Sequence, residues 1–433
     1  MTGDSSGTGR TPGLGGTPGA GSASGQLTHL DAAGAARMSR ATLEAQAVFL
    51  RAESELGAYA AEVAAADALA TASATLADLL GPGLRADDVV FQHNASSAFA
   101  TLLAAWPLRA GARIATIPSE YGSNRLVLES LAARIGATLL DLPVDEDGRI
   151  DLDTLDRSGL TESGAAGPGA AGGGFERLDL VVFPQVPSQR GIAQPAGALG
   201  RRCADAGVGL IVDVAQSAGQ LDATGIGADA YVGTSRKWLR GPRGAGFVAL
   251  RPGTVERLGI GVPSLYSAAS RDDRRAAPST PLAPPAPPDP LPGAARISVG
   301  ESSVVARIGL AQALVELVDA GPAQVFAQVA ALGAHGRQVL DGAGGFRVRE
   351  RGPADLVDPT GTNGGIITLQ PPPGIDPFAV RDRLYREHQI LTSAIPAVRA
   401  RELHGPLLRA SAHAYNTPAD LDRLADALAT LAR

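Results

Sequence analysis

Short apolar runs at 89–91, 113–117, 178–183 and 208–212 are each followed by a helical or loop stretch. "ADAYVGTS" and "GAGFVALRP" add two more runs of strand type. A strand with one wet face alternates apolar and polar residues. A strand that is apolar throughout must be covered on both faces, as in mainly parallel sheets with helical crossovers. The pattern predicts an α/β fold, a mainly parallel sheet covered by helices. From residue 304 it turns helical, in "VVARIGLAQALVELVDAGPAQVFAQVAALGAHGRQVLDG", and then closes in a compact α+β segment.

A length of 433 residues suits about two or three domains. We expect a large domain over residues 27–295 and a smaller C-terminal α+β domain over 296–433. Residues 1–26 are rich in Gly, Ser, Thr and Pro, cannot build a packed face, and are expected to be a disordered tail. Two segments interrupt the plan. Residues 158–174 read as a Gly/Ala insertion forming a flexible surface loop. Residues 264–293 form a long Pro-rich loop, expected to be mobile and near the joint between the domains. Hydrophobic residues make up 45% of the chain and aromatics only 4%, so the core must be mostly Ala, Leu, Val and Ile.

Several function classes fit poorly. The net charge is -6, and no basic tract or aromatic-basic interleaving suggests nucleic-acid binding. No apolar run approaches the roughly 20 residues of a membrane span. The N-terminus lacks the apolar centre of a signal peptide, so a cytoplasmic location is expected. The single Cys203 rules out an intrachain disulfide and a cysteine metal cluster. No strand–GxGxxG–helix arrangement marks a dinucleotide site.

The stretch "GTSRKWLRGPRG" holds Lys237, the only lysine in a chain with 38 Lys plus Arg. A GC-rich coding bias toward arginine leaves one lysine by chance. The alternative is chemical: a primary amine can lose its proton and form a Schiff base, which a guanidinium cannot. Such an amine is useful mainly with pyridoxal 5'-phosphate (PLP). That cofactor demands an acid for its ring nitrogen, donors for its phosphate and a flat group against its ring.

Candidates for each lie along the chain. "VGLIVDVAQSAGQLD" is a buried-strand pattern ending in Asp213, and a lone carboxylate there would be costly unless a cationic ring nitrogen met it. Asp213 equally suits a turn or a helix cap. Gln216, three residues on, can donate to the phenolic oxygen of the ring. "VVFQHNASSAFATLLAAW" reads as strand, then Asn94-Ala95-Ser96-Ser97, then helix, either an ordinary N-cap or a phosphate cradle. Thr234 and Arg236 flank the lysine and add a hydroxyl and a charge. Tyr121 in "IPSEYGSN" is a stacking platform or a packing residue. In "LLRASAHAYNTPADLDRL", Arg409 lies on a strand before a helix opened by Thr417 and Pro418. It suits a bidentate clamp on a substrate carboxylate or a surface ion pair.

The set "HNASS", "EYGSN", "DVAQSAG", "TSRKWLRGPRGAG" and "RASAHAYNT" resembles the class V aminotransferase family of PLP enzymes, from about residue 27 to the end. The resemblance implies a fold-type-I PLP enzyme. It makes Lys237 the Schiff-base lysine and Asp213 the ring-nitrogen partner. Gln216 and Ser188 would lie near the phenolic oxygen, Tyr121 on the ring, and Ala95, Ser96, Thr234 and Arg236 around the phosphate. It also implies a homodimer with the cofactor near the interface, whereas the charge and apolar-run arguments above leave no nucleic-acid or membrane partner expected. The sequence departs from the family pattern in three places. Arg236 stands where many members have His, and so does Tyr121. "SVGESSVVAR" replaces the Gly-Thr that reaches the partner's phosphate, placing Glu301 across the interface or against a cationic substrate group.

These departures, with "THLDAAGAARMS", "LPVDEDGRI", "QRGIAQP" and "GESSVVARIGLAQAL", resemble the subgroup of hercynylcysteine sulfoxide lyases of ergothioneine biosynthesis. The reaction implied is carbon–sulfur cleavage releasing pyruvate and ammonia, with Lys237 as general base and Arg409 on the substrate carboxylate. Transamination, epimerisation and PLP binding without turnover remain open. Persulfide chemistry needs a loop cysteine, and "TSAIPAVRARELHGPLL" has none.

Overall fold

The computed structural model describes residues 27–158, 160–162, 174–269, 288–350 and 363–431. The expected tail over 1–26 lies outside these residues, as do 163–173 of the insertion and 270–287 of the Pro-rich loop.

Among the described residues eight strands form the main sheet: β1 (Val89–Gln92), β2 (Arg113–Thr116), β3 (Thr138–Asp141), β4 (Thr161–Glu162), β5 (Leu180–Pro184), β6 (Gly209–Asp213), β7 (Ala230–Thr234) and β8 (Gly246–Leu250). Their order across the sheet is β1-β8-β7-β6-β5-β2-β3-β4. The run β7-β6-β5-β2-β3 is parallel throughout, whereas β8 is antiparallel to both its neighbours and β4 to β3. The sheet is thus mainly parallel, as expected.

The apolar runs are explained by what each residue meets. In β5, Val181 and Phe183 enter one core while Leu180 and Val182 enter another. In β6, Leu210 and Val212 part from Ile211 in the same way, and in β7 Tyr231 parts from Ala230 and Val232. Alternate side chains of a strand point to opposite faces, so a strand sandwiched between helical layers has no position left for a polar residue. The first core takes its helical side from α1 (Ala66–Leu80), α4 (Ala196–Ala206) and α5 (Val304–Ala320). The second takes it from α2 (Ala95–Ala105) and α3 (Gly122–Ile135).

A four-stranded antiparallel sheet forms the C-terminal unit, in the order β9 (Arg347–Val348), β10 (Ile366–Gln370), β12 (Leu407–Ser411) and β11 (Ser393–Ile395). Its own core joins Leu30, Ile367, Leu369, Leu384, Leu408 and Leu424. Helix α6 (Pro322–Leu340) bridges the cores, with Val325 and Val329 in the first and Leu332 and Leu340 in the C-terminal one. Thr28–His29 pairs in parallel with Ile390–Leu391, so the start of the described chain is strapped onto its C-terminal part. The ends of the Pro-rich segment are pinned together, since Ala268–Ala269 pairs antiparallel with Asp289–Pro290.

Among the described residues no single helix is long and apolar enough to cross a membrane. The bent pair Ala58–Ala64 and Ala66–Leu80 reaches the length jointly, but buries Leu69, Ala72, Leu76 and Leu80 within the fold.

Candidate active site

The C-terminal ends of β5, β6 and β7 open into one cavity, lined among others by Pro184, Asp213 and Thr234. Ligands of open α/β sheets bind at this edge. Of the residues singled out in the sequence, the cavity collects Ala95, Ser96, Tyr121, Ser188, Asp213, Gln216, Thr234, Arg236 and Lys237.

Lys237 follows β7 and shares the cavity with Asp213. Among the described residues its amine makes no ion pair or hydrogen bond. Burial, with the Arg236 guanidinium beside it, pushes the amine down to about 7, against the pull of Asp213. A lysine so placed is partly neutral at physiological pH and can act as a base or nucleophile. Asp213 is buried, and its carboxyl is raised by desolvation, opposed by Lys237. It accepts from the Ala215 N–H at 2.8 Å and from Asn124 Nδ2 at 2.8 Å.

Arg236 and the start of α2 bring positive charge and backbone N–H groups to the same cavity. Asn94 caps α2, its side chain accepting from the Ser97 N–H at 2.9 Å. The N–H groups of Ala95 and Ser96 belong to the first turn, which has no intrahelical acceptors. Helix α2 comes this close to the sheet because β8 begins with Gly246, where a Cβ would stand 2.3 Å from the Asn94 carbonyl carbon. Arg236 lines the same cavity with no carboxylate bonded to it among the described residues. Burial and Arg243 hold it below its ordinary value. A partly buried guanidinium beside a helix N-terminus suits an anion such as a phosphate.

Three residues are more constrained than the sequence showed. Gln216 Oε1 accepts from Trp238 Nε1 at 2.9 Å and its Nε2 donates to the Ala33 carbonyl at 3.1 Å, leaving one N–H for a ligand. Ser188 Oγ donates to Gln189 Oε1 at 3.1 Å. Tyr121 lines the cavity with the Arg399 guanidinium 5.8 Å from its ring centroid.

Two predicted residues do not line this cavity. Arg409 is buried, donating to the Ser188 carbonyl at 2.8 Å, to Asp31 Oδ1 at 3.1 Å and to Ser393 Oγ at 3.3 Å, while its Nε has no partner among the described residues. Its ion pair is therefore internal. Glu301 lines a different cavity, together with Tyr266, Tyr59 and Glu62.

Asp31, Glu120, Asn124 and Trp238 were not read as site residues from the sequence. Asn124 stood inside the quoted "EYGSN", four residues after Glu120, but nothing local shows that an amide at the start of α3 will reach a carboxylate at the end of β6. His413 stacks on Trp238 at 5.5 Å between ring centroids, and its Nε2 lies 3.0 Å from the Trp238 carbonyl, bracing the lysine loop from the C-terminal unit. Cys203 is buried and its thiol is pushed up to about 12, chiefly by burial, which leaves it inert.

The Aminotransferase class-V pattern matches residues 28–424. The chain is 36% identical over 404 residues to the probable hercynylcysteine sulfoxide lyase of Mycobacterium tuberculosis (strain CDC 1551 / Oshkosh), covering 92% of this chain and 89% of that protein. It is 31% identical over 261 residues to the isopenicillin N epimerase of Streptomyces clavuligerus, 59% of this chain and 61% of that one. Among solved structures it resembles a cysteine desulfurase from Thermococcus onnurineus NA1, with a TM-score of 0.77, 19% identity and 94% of each chain covered. It also resembles the cystine C–S lyase C-DES, with a TM-score of 0.74, 18% identity, and 93% of this chain and 97% of that one covered. The fold is therefore that of the type I PLP enzymes, and the chain belongs to the class V aminotransferase family, a family of PLP-dependent enzymes.

Proposed function

We propose that the chain is a PLP-dependent carbon–sulfur lyase that cleaves hercynylcysteine sulfoxide in ergothioneine biosynthesis, releasing pyruvate and ammonia. The observation that carries the enzymatic reading is the single lysine, its amine lowered to about 7, beside a buried aspartate in one cavity. The choice of substrate rests on similarity to the M. tuberculosis protein.

The cavity fits PLP, which supplies an electron sink for charge developing at a substrate α-carbon. Its Arg236 guanidinium, bonded to no carboxylate among the described residues, and first-turn N–H groups suit a phosphate, and its buried carboxylate suits a protonated ring nitrogen. Ala95, Ser96, Thr234 and Arg236 would hold the phosphate, Asp213 the ring nitrogen, and Tyr121 the ring face. Ser188 and the remaining N–H of Gln216 would lie by the phenolic oxygen. Lys237 would tether the cofactor and, once released, take the α-proton as general base. Arg409, buried and bonded to Ser188, Asp31 and Ser393, would favour the substrate carboxylate through whatever share of its charge Asp31 leaves. With Cys203 buried and its thiol raised, and no other cysteine in the chain, desulfurase chemistry has no sulfur acceptor.

The test has two steps. Visible absorbance and borohydride fixation are compared for the wild type and Lys237→Ala; cofactor fixed to Lys237 is expected in the wild type only. Pyruvate is then measured from hercynylcysteine sulfoxide without a keto acid. Turnover that requires a keto acid would make the protein an aminotransferase, and inversion without pyruvate an epimerase. Coloured protein inert to every amino acid would be a binding protein.

We also propose a large domain over 27–295 and a small one over 296–433, to be checked by limited proteolysis. A cytoplasmic homodimer is our reading of the assembly. Its support is a set of exposed large apolar side chains, including Leu56, Tyr59, Val63, Leu265 and Tyr266. Glu301 would act across that interface or on a cationic substrate group.

A further inference from the structure

Glu120 has no part in the chemistry above, yet it is 2% exposed and lies one amide away from Asp213. Its Oε1 accepts from the Tyr121 N–H at 2.8 Å and from Asn124 Nδ2 at 3.1 Å. The same Asn124 nitrogen donates its other hydrogen to Asp213 Oδ2 at 2.8 Å. Glu120 Oε2 lies 3.2 Å from Thr116 Oγ1. Among the described residues no arginine or lysine bonds to Glu120. Two buried carboxyl groups are thus joined by one amide, and like charges in such a site do not both ionise readily.

The hydrogen bonds tell the two oxygens of Glu120 apart. Oε1 meets two N–H donors and behaves as a carbonyl oxygen. Oε2 meets only a hydroxyl, which can accept as well as donate. Asp213 has a cationic neighbour in Lys237, whereas among the described residues no cation bonds to Glu120.

We propose that Glu120 is a neutral carboxylic acid that positions Asp213 through Asn124, leaving the single negative charge of the pair on Asp213. The proton sits on Oε2 and is donated to Thr116 Oγ1. Burial, reinforced by Asp213, raises Glu120 to about 8, in keeping with this assignment. The role of Asp213 toward a ring nitrogen rests on the proposed function; the neutral state of Glu120 does not.

The experiment compares wild type, Glu120→Gln and Glu120→Ala. Glutamine reproduces a neutral acid, with a carbonyl for the two N–H donors and an N–H for Thr116. Infrared difference spectra at pH 7, on cofactor-free and cofactor-loaded protein, are expected to show a protonated-carboxyl band in the wild type that Glu120→Gln removes. Glu120→Ala is expected to lower kcat by about tenfold or more, the worth of one hydrogen bond to a charged acceptor, with little change in KM. Glu120→Gln is expected to recover activity to within about threefold of wild type, under the same conversion. Absence of the band, or Glu120→Gln as damaging as Glu120→Ala, overturns the proposal. Because the band is read without cofactor as well, a band in a protein that never binds PLP sinks only the functional reading. Its absence in a protein that binds PLP normally sinks only this one.

Discussion

At Lys237 a buried amine is surrounded by more positive charge than negative, with Arg236, Arg409 and Arg399 opposed by Asp213. Folding therefore weakens its hold on a proton. The unfolded chain binds that proton more tightly between about 7 and lysine's ordinary 10.5, so stability rises with pH across this window and is lost as pH falls toward 7. Replacing Lys237 by Met is expected to raise the Tm of cofactor-free protein at pH 7 and to leave it unchanged above 10.5, read by calorimetry. Lys237→Ala is expected to lower kcat/KM by at least about a thousandfold in a pyruvate assay. Lys237, Asp213 and the Asn94–Ser96 turn were legible in the sequence because each is marked locally, by a unique residue type, a strand end or a cap. Asn124 and Asp31 were not, because each owes its place to a partner far along the chain, Asp213 and Arg409 respectively. The internal ion pair of Arg409 was invisible for the same reason.

Each central strand serves two cores, so a single truncation in a strand is felt in a packed helical layer. Phe183→Ala is expected to cost about 3–5 kcal/mol by urea unfolding, since Phe183 is fully buried in the first core. Gly246→Val acts between elements. Its side chain would meet the Asn94 backbone and push the start of α2 from the sheet edge, with a stability loss of about 1–3 kcal/mol. If Ala95 and Ser96 cradle the phosphate, cofactor affinity measured by fluorescence titration falls with it. Strands β1, β2, β5 and β6 begin or end within two residues of the predicted runs, because apolar continuity marks a doubly covered strand well. Strand β3 was missed, as Thr138–Asp141 follows α3 after only a short turn and carries just two apolar residues. Strand β4 was hidden in the Gly/Ala insertion, where composition argued for a loop.

Across the whole molecule, the large exposed apolar side chains predict a self-associated protein. Sedimentation is expected to give twice the 43.8 kDa of one chain, and Tyr59→Glu with Val63→Glu to shift it toward the monomer. The layered α/β plan was legible because it repeats along the chain. The strap was not, since two-residue strands carry no periodicity. The strap also holds the charge partner of Arg409: Asp31→Ala is expected to destabilise by about 3 kcal/mol, because it leaves a buried guanidinium unpaired. That connection sets an order of events in biosynthesis. Residues 28–31 are synthesised before their partners Ile390, Leu391, Ser393, Arg409 and Ser411, which follow more than three hundred positions later, as in the 362-residue separation of Ser393 and Asp31. Segment 28–31 must therefore wait, unpaired, until the C-terminal unit has been made, and the strap closes late in the folding of this region.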